Sequence, residues 1–363
     1  MHAPALNAVC PYYTMFPLEF PMRILTRLSN TGAWVLDPFC GRGTTNFAAR
    51  LLGLPSIGFD TSPVAVAIAT SKIVETDARS VLAAAKDRLN AGSLENVPTG
   101  EFWRLAYHPD TLESICRLRS ALAVDCHDPA SLVLRAILLG ALHGPLTKGT
   151  PSYLSNQCLR TFAPKPKYAV EFWKSRSLKP RNVDIFDLIK RRAYRYLSSQ
   201  LPSTGGQIFE ADSKELTCFD FPRQVSAIVT SPPYYGMKTY VPDQWLRNWF
   251  LGGSSEVEYN QPNGSLLHTS PTIFASELQS VWQRVAEVCR SGAKLVCRFG
   301  SINDRKADPI DIIKLSFRDT AWQVTTIRNA GSAVSGKRQA LQFGDRPSKK
   351  PKPEFDIYAV LNN

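Results

Sequence analysis

The feature that most constrains the fold is an apolar strand pattern that runs directly into a glycine-containing turn and then into a helix pattern. Residues 33–36 (AWVL) end at Asp37, the turn holds Gly41 and Gly43, and residues 44–52 have helical periodicity. Such a strand–turn–helix unit is a building block of sheets that carry helices on their faces. The sequence therefore predicts an α/β fold.

The same alternation recurs along the chain. A second strand pattern, 56–59, ends at Asp60 and precedes a helical stretch at 63–73, and an amphipathic helix pattern covers 275–290. A polar loop, and no helix, separates the last two strand patterns, which favours an antiparallel hairpin. The sequence thus predicts a doubly wound, seven-stranded, mostly parallel sheet of Rossmann-like type with a C-terminal hairpin. Its later strands are predicted at 207–209, 226–229, 295–297, 322–327 and 355–361.

A long interruption separates the second strand pattern from the third. A structureless loop of more than a hundred residues is improbable inside a compact domain, and residues 130–142 (ASLVLRAILLGAL) are helical in pattern. We therefore expect three parts: 1–74 and 203–363 as the two parts of one domain, and 75–202 as an inserted helical and basic region.

The net charge of +12 is concentrated in this insertion. Residues 145–200 hold twelve Lys and Arg but only three acidic residues. Such a surface favours a polyanionic partner, because cations neutralise phosphates, although a solvated basic face is the alternative. The candidate DNA-binding residues are Arg160, Lys165, Lys167, Lys174 and Arg176, with Lys337 and Arg338 in the loop between the last two strands.

Composition excludes several other classes of protein. The N-terminus lacks the basic start and apolar core of a signal peptide, and the sequence has no apolar run long enough to span a bilayer. No two of the eight cysteines have CxxC spacing, which favours reduced thiols over a disulfide framework or a zinc site. We expect a soluble, cytoplasmic protein without a metal centre.

The glycine turn has the chemistry of a nucleoside-binding site. Gly41 and Gly43 permit a tight turn with bare backbone, and the helix that begins at Thr44 presents free amides. The position of the third glycine of a dinucleotide fingerprint is Asn46, which disfavours a pyrophosphate ligand. Asp60, at the end of the next strand, is placed to accept hydrogen bonds from ribose hydroxyls.

A second motif, Ser231–Tyr234 (SPPY), follows the strand pattern at 226–229. Pro232 and Pro233 stiffen the loop, so that Ser231 Oγ and the Pro232 carbonyl are available to accept hydrogen bonds from an exocyclic amino group. Tyr234 offers an aromatic face to a base that is taken out of a helix. A rigid surface turn is the alternative interpretation. The position at the carboxyl end of a strand favours a site.

Together the two motifs resemble those of the DNA amino-methyltransferase family, which carries FxGxG and [DNS]PP[YFW] signatures. Here they read Phe39–Gly43 (FCGRG) and Ser231–Tyr234. The serine variant is similar to that of members specific for N4 of cytosine. The resemblance implies S-adenosylmethionine as cofactor and double-stranded DNA as partner, with a restriction or defence-system component as a further possible partner.

The resemblance also implies roles for single residues. The segment that contains Thr14 and Phe16 resembles the one that closes over the methionine part of the cofactor, and Asp212 is similar to the acid that contacts the adenine amino group. The full set of predicted cofactor residues is Thr14, Phe16, Asp37, Phe39, Gly41, Gly43, Thr44, Asp60 and Asp212.

Alternative interpretations stay open at this point. The acceptor is adenine N6 or an RNA amino group in one of them, and in another the chain is an idle DNA-binding subunit. The stretch after Tyr235, from 237 to 273, competes with the insertion as the reader of the base sequence because it holds Trp245, Arg247 and Trp249.

Overall fold

The structure is a computed structural model of the 363-residue chain. It describes residues 4–12, 16–28, 34–94, 96–145, 149–156, 164–222, 224–236, 241–258, 266–300, 307–332 and 353–362. The predicted site residues Thr14, Arg160, Lys337 and Arg338 lie outside the described residues.

The chain divides into two compact units. Unit 1 comprises residues 1–11, 74–200 and 240–262, and unit 2 comprises 12–73, 201–239 and 263–363. The central segment of unit 1 falls within one residue or two of the expected insertion at 75–202. The grouping differs from the expected boundaries in two places, because 1–11 and 240–262 join unit 1.

Unit 2 contains a seven-stranded sheet with the strand order β3-β2-β1-β4-β5-β7-β6. Strands β3, β2, β1, β4 and β5 are parallel to one another, whereas β7 is antiparallel to both β5 and β6. The predicted fold class is therefore confirmed, including the C-terminal hairpin. The strands are β1 (Trp34–Asp37), β2 (Ser56–Asp60), β3 (Gly206–Glu210), β4 (Val225–Thr230), β5 (Cys289–Gly300), β6 (Trp322–Ser332) and β7 (Pro353–Leu361).

Helices cover the central strands. All six residues of β4 are buried, as expected for a strand with cover on both faces. One face packs on helices α11 (Pro271–Glu287) and α12 (Pro309–Ser316), where the Trp282 ring stacks on Phe317 at 5.2 Å. The helices of unit 2 are α1 (Glu19–Leu25), α2 (Thr44–Leu51), α3 (Pro63–Ile73), α11 (Pro271–Glu287) and α12 (Pro309–Ser316).

Strand β5 is longer than its apolar core predicts. The pattern places it at 295–297, but it begins at Cys289, which pairs with Val225 before the register shifts by three residues. The polar residues Arg290 and Ser291 lie in the irregular stretch between the paired positions 289 and 294. Residue polarity alone does not indicate that the strand begins this early.

Unit 1 is helical, and the helix predicted at 130–142 is present as α7. The core of this unit is aromatic: Phe102, Trp103 and Trp245 pack with ring centroids 5.0–5.7 Å apart. Within the described residues no helix is both long and apolar enough to cross a membrane. Unit 1 holds α4 (Ala78–Ala91), α5 (Glu101–Ala106), α6 (Pro109–Val124), α7 (Pro129–Ala141), α8 (Pro166–Ser175), α9 (Ile185–Tyr196) and α10 (Val241–Phe250).

Candidate active site

The two sequence motifs leave the sheet at adjacent strand ends. Strands β1 and β4 are parallel neighbours, with Leu36 paired with Ile228. The glycine turn follows β1 and the SPPY loop follows β4, so both loops begin at the same edge of the sheet. In open α/β sheets this carboxyl edge, between neighbouring strands, is where ligands bind.

Two hydrogen bonds connect the motifs directly. Thr230 Oγ1, on the last residue of β4, donates to Asp37 Oδ1 at 2.6 Å. Thr45 Oγ1, in the first turn of α2, donates to the Val229 carbonyl at 2.9 Å. Thr230 and Thr45 are fully buried, so water does not compete for these bonds. The glycine turn and the SPPY loop are therefore parts of one site.

The glycine turn has a backbone that L side chains rarely adopt. Gly41 has φ of +51° and Gly43 has φ of +72°. A Cβ at Gly43 would lie 2.8 Å from Ala69 Cβ in α3, so glycine is also required there for close packing of the helices. The Gly41 amide donates to Asp60 Oδ2 at 2.9 Å, which fastens the turn to the end of β2.

Asp37 is fully buried at the start of the turn. Its Oδ1 accepts hydrogen bonds from Thr230 and from the Phe39 amide at 3.1 Å. Its Oδ2 has no hydrogen-bond partner among the described residues. Burial raises the pKa of Asp37 to about 6, although the hydrogen bonds from the Thr230 hydroxyl and the Phe39 amide oppose this rise. An unsatisfied carboxylate oxygen at this edge fits a cationic ligand group, such as the ammonium of a methionine moiety.

Asp60 has a structural role that the sequence did not predict. Besides Gly41, its carboxylate accepts a hydrogen bond from the Ser62 amide at 2.9 Å. Burial raises its pKa to about 6, and the two amide hydrogen bonds oppose that rise. A carboxylate oxygen can accept more than one hydrogen bond, so these two amide bonds leave Asp60 able to bind ribose hydroxyls. That contact stays a prediction.

The other predicted cofactor residues have different surroundings. Thr44 is buried in the first turn of α2, and the Phe39 ring contacts Trp282 edge to face at 6.2 Å. Phe16 packs on Phe20 at 5.2 Å. Asp212 begins the 3₁₀ helix Ser213–Cys218, and both of its oxygens contact Lys214. Its contact with adenine stays a prediction.

The SPPY loop is anchored through Tyr234. The Tyr234 hydroxyl donates to Glu354 Oε1 in β7 at 2.6 Å, and its ring meets Phe299 edge to face at 5.6 Å. Burial and then the Glu354 charge raise the pKa of Tyr234 well above its usual range, and a hydrogen bond from Ser231 opposes this effect. Pro232 is buried, whereas Ser231 and Pro233 are half-buried. These contacts fix the ring, while its stacking on a base stays a prediction.

Sequence analysis missed four residues that shape this site. Thr230 directly precedes the motif, and its position at the strand end was the available signal. Glu354 and Gly300 come from distant strands: a Cβ at Gly300 would lie 3.1 Å from Tyr234 Cε2. His268 Nδ1 accepts from the Gly236 amide at 2.9 Å and so holds the far end of the loop. Nothing in the sequence indicated these last three.

The predicted DNA-binding residues that the structure describes lie on or beside α8 in unit 1. Lys174 Nζ is paired with Glu101 Oε1 at 2.5 Å, and the Arg176 guanidinium lies 4.1 Å from the centroid of the Phe172 ring. Lys165 precedes α8 and Lys167 lies in its first turn. Because Glu101 compensates one of these charges, the basic surface is weaker than the sequence suggested. Its contact with DNA stays a prediction.

The competing candidates for base reading are buried. Trp245, Arg247 and Trp249 have relative exposures of 4%, 5% and 1%. Trp245 Nε1 donates to the Pro164 carbonyl and Arg247 Nε to the Leu139 carbonyl, at 2.8 and 3.2 Å. These three side chains form part of the core of unit 1, so the interpretation that they read bases is wrong.

The fold defines a class of protein, an α/β sheet in which the glycine turn and the SPPY loop begin at the adjacent ends of β1 and β4. Residues 6–71 match the model of the amino-methyltransferase family described as DNA methylase. The match over this segment, which contains the glycine turn, agrees with the predicted amino-methyltransferase family and does not divide N4 from N6 members. S-adenosylmethionine is the cofactor of this family, which supports the prediction of this cofactor.

Two named relatives match parts of the chain. The type II methyltransferase M.MthZI of Methanothermobacter thermautotrophicus is 41% identical over 61 residues, 17% of each chain. The type II methyltransferase M.MjaII of Methanocaldococcus jannaschii is 33% identical over 85 residues, 23% of this chain and 16% of the relative. The chain thus matches about one sixth of the length of each relative.

Among solved structures, an rRNA methylase from Streptococcus thermophilus aligns over 97% of this chain and 100% of its own, with 6% identity and a TM-score of 0.36. A similarity of this size carries no information about the substrate.

The packing at Gly43 predicts a difference between two glycine substitutions. Gly53 also has a positive φ, +71°, but no atom lies within 4 Å of a Cβ built there. Gly53→Ala should lower the free energy of unfolding by about 1 kcal/mol from backbone strain alone. Gly43→Ala should cost about 1–3 kcal/mol more, because it also displaces α3, and it should weaken S-adenosylmethionine binding at least tenfold. Urea denaturation and calorimetric titration measure both. Equal losses in the two variants would contradict the close-packing argument.

The buried carboxyl of Asp37 predicts a pH-dependent effect of Asp37→Asn. A folded pKa of about 6 against 3.8 for the unfolded group means that stability present below pH 4 is lost as the pH rises through 6. The variant removes this loss, so its free energy of unfolding should exceed that of the wild type by about 1–3 kcal/mol at pH 8. Its affinity for S-adenosylmethionine should fall, because a ligand ammonium loses its acceptor charge.

The control is Asp77→Asn. Asp77 is exposed, and hydrogen bonds from the Ser80 amide and hydroxyl and the Arg79 amide lower its pKa. This variant should therefore be less stable than the wild type at pH 8, not more. Urea midpoints measured from pH 4 to pH 8 test both signs, and a destabilised Asp37→Asn protein at pH 8 would refute the assignment.

Proposed function

We propose that the protein transfers a methyl group from S-adenosylmethionine to the exocyclic amino group of a base in DNA, with N4 of cytosine as the expected acceptor. The hydrogen bond from Thr230 to Asp37 is the observation that carries the proposal, because it joins the cofactor turn to the SPPY loop. The family match over 6–71 supports the class of reaction. The serine at 231 supports cytosine.

The described residues fit such a cofactor. Asp37 supplies an unsatisfied anionic acceptor, the Gly41–Gly43 turn leaves the backbone bare, and Asp60 retains acceptor capacity at the end of β2. S-adenosylmethionine supplies an electrophilic methyl group when bound. Phe39 and Thr44 flank the turn, and Asp212 lies after the neighbouring strand β3.

The acceptor side of the reaction is assigned to the SPPY loop. The amino nitrogen of cytosine is a weak nucleophile because its lone pair is delocalised into the ring. Ser231 Oγ and the Pro232 carbonyl accept hydrogen bonds from the two amino N–H groups, which localises the lone pair on nitrogen. As the N–CH3 bond forms and the S–CH3 bond breaks, S-adenosylhomocysteine would leave and one amino proton would pass to water. Tyr234 provides an aromatic surface for a base that has been flipped out of the duplex. Positioning by these groups supplies most of the acceleration.

Radiolabelled methyl transfer to duplex DNA tests the proposal. Purified protein with labelled S-adenosylmethionine and genomic DNA from a host that lacks the protein should produce labelled DNA. Mass spectrometry of the digested nucleosides should then find N4-methylcytosine. Methylated adenine in its place would keep the class of reaction and overturn the cytosine assignment. A protein that binds the cofactor yet labels no DNA at high enzyme concentration would overturn the proposal.

Ser231→Ala should separate the acceptor role from cofactor binding. Loss of one hydrogen-bond acceptor should lower the rate of transfer on the order of 10²-fold, while the Kd for S-adenosylmethionine changes little. The matched control is Ser226→Ala on the same strand, because Ser226 is buried and its hydroxyl has no partner among the described residues. That control should keep nearly full activity. A parallel loss of transfer and cofactor binding in Ser231→Ala would remove the assigned role.

A further inference from the structure

An arginine-rich pocket lies on one face of the three strands at the end of the sheet. Asp356 in β7 lies directly opposite Arg298 in β5 and Arg328 in β6 in the strand register. Residues directly opposite one another in antiparallel strands have their side chains on the same face, so these three form a row. Arg23, in α1, and Arg27, just after it, complete a cavity of about 200 Å³.

The pocket has an excess of positive charge. Asp356 is the one acid among the described residues that line it, against four arginines. Arg298 binds both oxygens of Asp356, through Nε at 2.8 Å and Nη2 at 3.1 Å, and Arg23 Nη2 contacts Oδ2 at 3.2 Å. One carboxylate thus serves two guanidinium groups. The formal charge of the lining is three positive units.

The excess charge lies on the exposed arginines of the lining. Arg23, Arg27 and Arg328 are exposed, whereas Arg298 is buried and paired. Arg298 is only 8% exposed, and its guanidinium carbon lies 3.8 Å from the centroid of the Phe20 ring. Among the described residues, Arg27 and Arg328 make no hydrogen bond or ion pair, although Arg328 lies over the Tyr358 ring at 5.1 Å. Like charges that converge on one cavity repel one another, and an anion bound among them removes that repulsion. The pocket is therefore built for an anionic ligand.

The pocket is adjacent to the SPPY loop. Glu354, which holds the Tyr234 hydroxyl, is two residues before Asp356, and Gly300, which the Tyr234 ring approaches, is two residues after Arg298. Two residues of a strand span about 7 Å. The charge of Arg298 also opposes the rise in the pKa of Tyr234, as expected for a nearby cation.

We propose that this pocket binds a phosphodiester of the DNA strand that carries the target base. Guanidinium groups match the oxygens of a phosphate with paired, charge-assisted hydrogen bonds. Arg27 and Arg328, at the exposed rim, contact the phosphate, while Arg298 and Arg23, fixed by Asp356, supply the field behind it. This inference rests on the proposed function, because it takes DNA as the substrate.

The test compares two double variants of the full chain. Arg27→Ala with Arg328→Ala removes the two rim charges and spares the buried Arg298. Arg290→Ala with Arg318→Ala removes two exposed charges elsewhere in unit 2, at the start of β5 and after α12. Circular dichroism and thermal unfolding check that both variants fold.

Binding of a fluorescein-labelled DNA duplex is measured by anisotropy over a range of KCl concentrations. The rim variant should bind about tenfold more weakly at low salt, and its slope of log K against log salt should fall in magnitude by about 1, the value for one phosphate contact. The control variant should keep the wild-type slope. Equal losses in the two variants, or no loss in the rim variant, would overturn the proposal.

Inorganic phosphate distinguishes a diester from a free anion. Sodium phosphate in place of chloride at equal ionic strength should leave duplex affinity unchanged within about twofold, since one anion does not replace a polyanion. Strong competition would assign the pocket to free phosphate and overturn the proposal.

Methyl transfer by the wild-type protein separates this inference from the proposed function. If the wild type methylates DNA but the rim variant keeps the wild-type salt slope, the proposal of phosphodiester binding in the pocket is refuted and the proposed function stands. A wild type that binds S-adenosylmethionine but transfers no methyl group to DNA would refute the proposed function.

Discussion

The contact on which the site depends is the buried hydrogen bond between the last residue of β4 and the last residue of β1. Thr230 and Asp37 are more than 190 residues apart in the chain, yet their side-chain oxygens are 2.6 Å apart. The bond forms because β1 and β4 are parallel neighbours in the sheet and end at the same edge. Without that strand order, the glycine turn and the SPPY loop would be unrelated surface features.

The surroundings of this bond combine burial with incomplete compensation. Asp37 and Asp60 both have pKa values raised to about 6 by burial, and Asp37 keeps an oxygen without a partner. Such arrangements cost stability, and proteins retain them where a ligand supplies the missing contact. The arginine pocket has the opposite charge, and it too lacks a full set of partners, because Asp356 compensates only part of the positive charge of its lining. The edge of the sheet thus presents an anionic position beside the cofactor turn and a cationic one beyond Tyr234.

Much of the fold follows from local patterns. The apolar runs at β1, β2 and β4 and the glycine turn are short-range signals, and the helix predicted at 63–73 agrees with α3. Patterns failed where long-range contacts decide. Polar Arg290 and Ser291 lie in β5 because they fall between positions 289 and 294, which both pair with β4. Trp245, Arg247 and Trp249 seemed suited to contact bases, but aromatic packing buries them. Polarity indicates how a residue interacts with water and does not specify its neighbours.

The sequence by itself determined the strand–turn–helix units, the glycine positions, the stiff SPPY loop and the family resemblance, because each depends on residues close together in the chain. Only the tertiary structure decided that Thr230 binds Asp37, that Glu354 holds Tyr234, and that Arg298 and Arg23 share Asp356 in one pocket. These contacts join residues from separate strands, and their partners are selected by strand order and register. Those are properties of the folded sheet, and no local pattern encodes them.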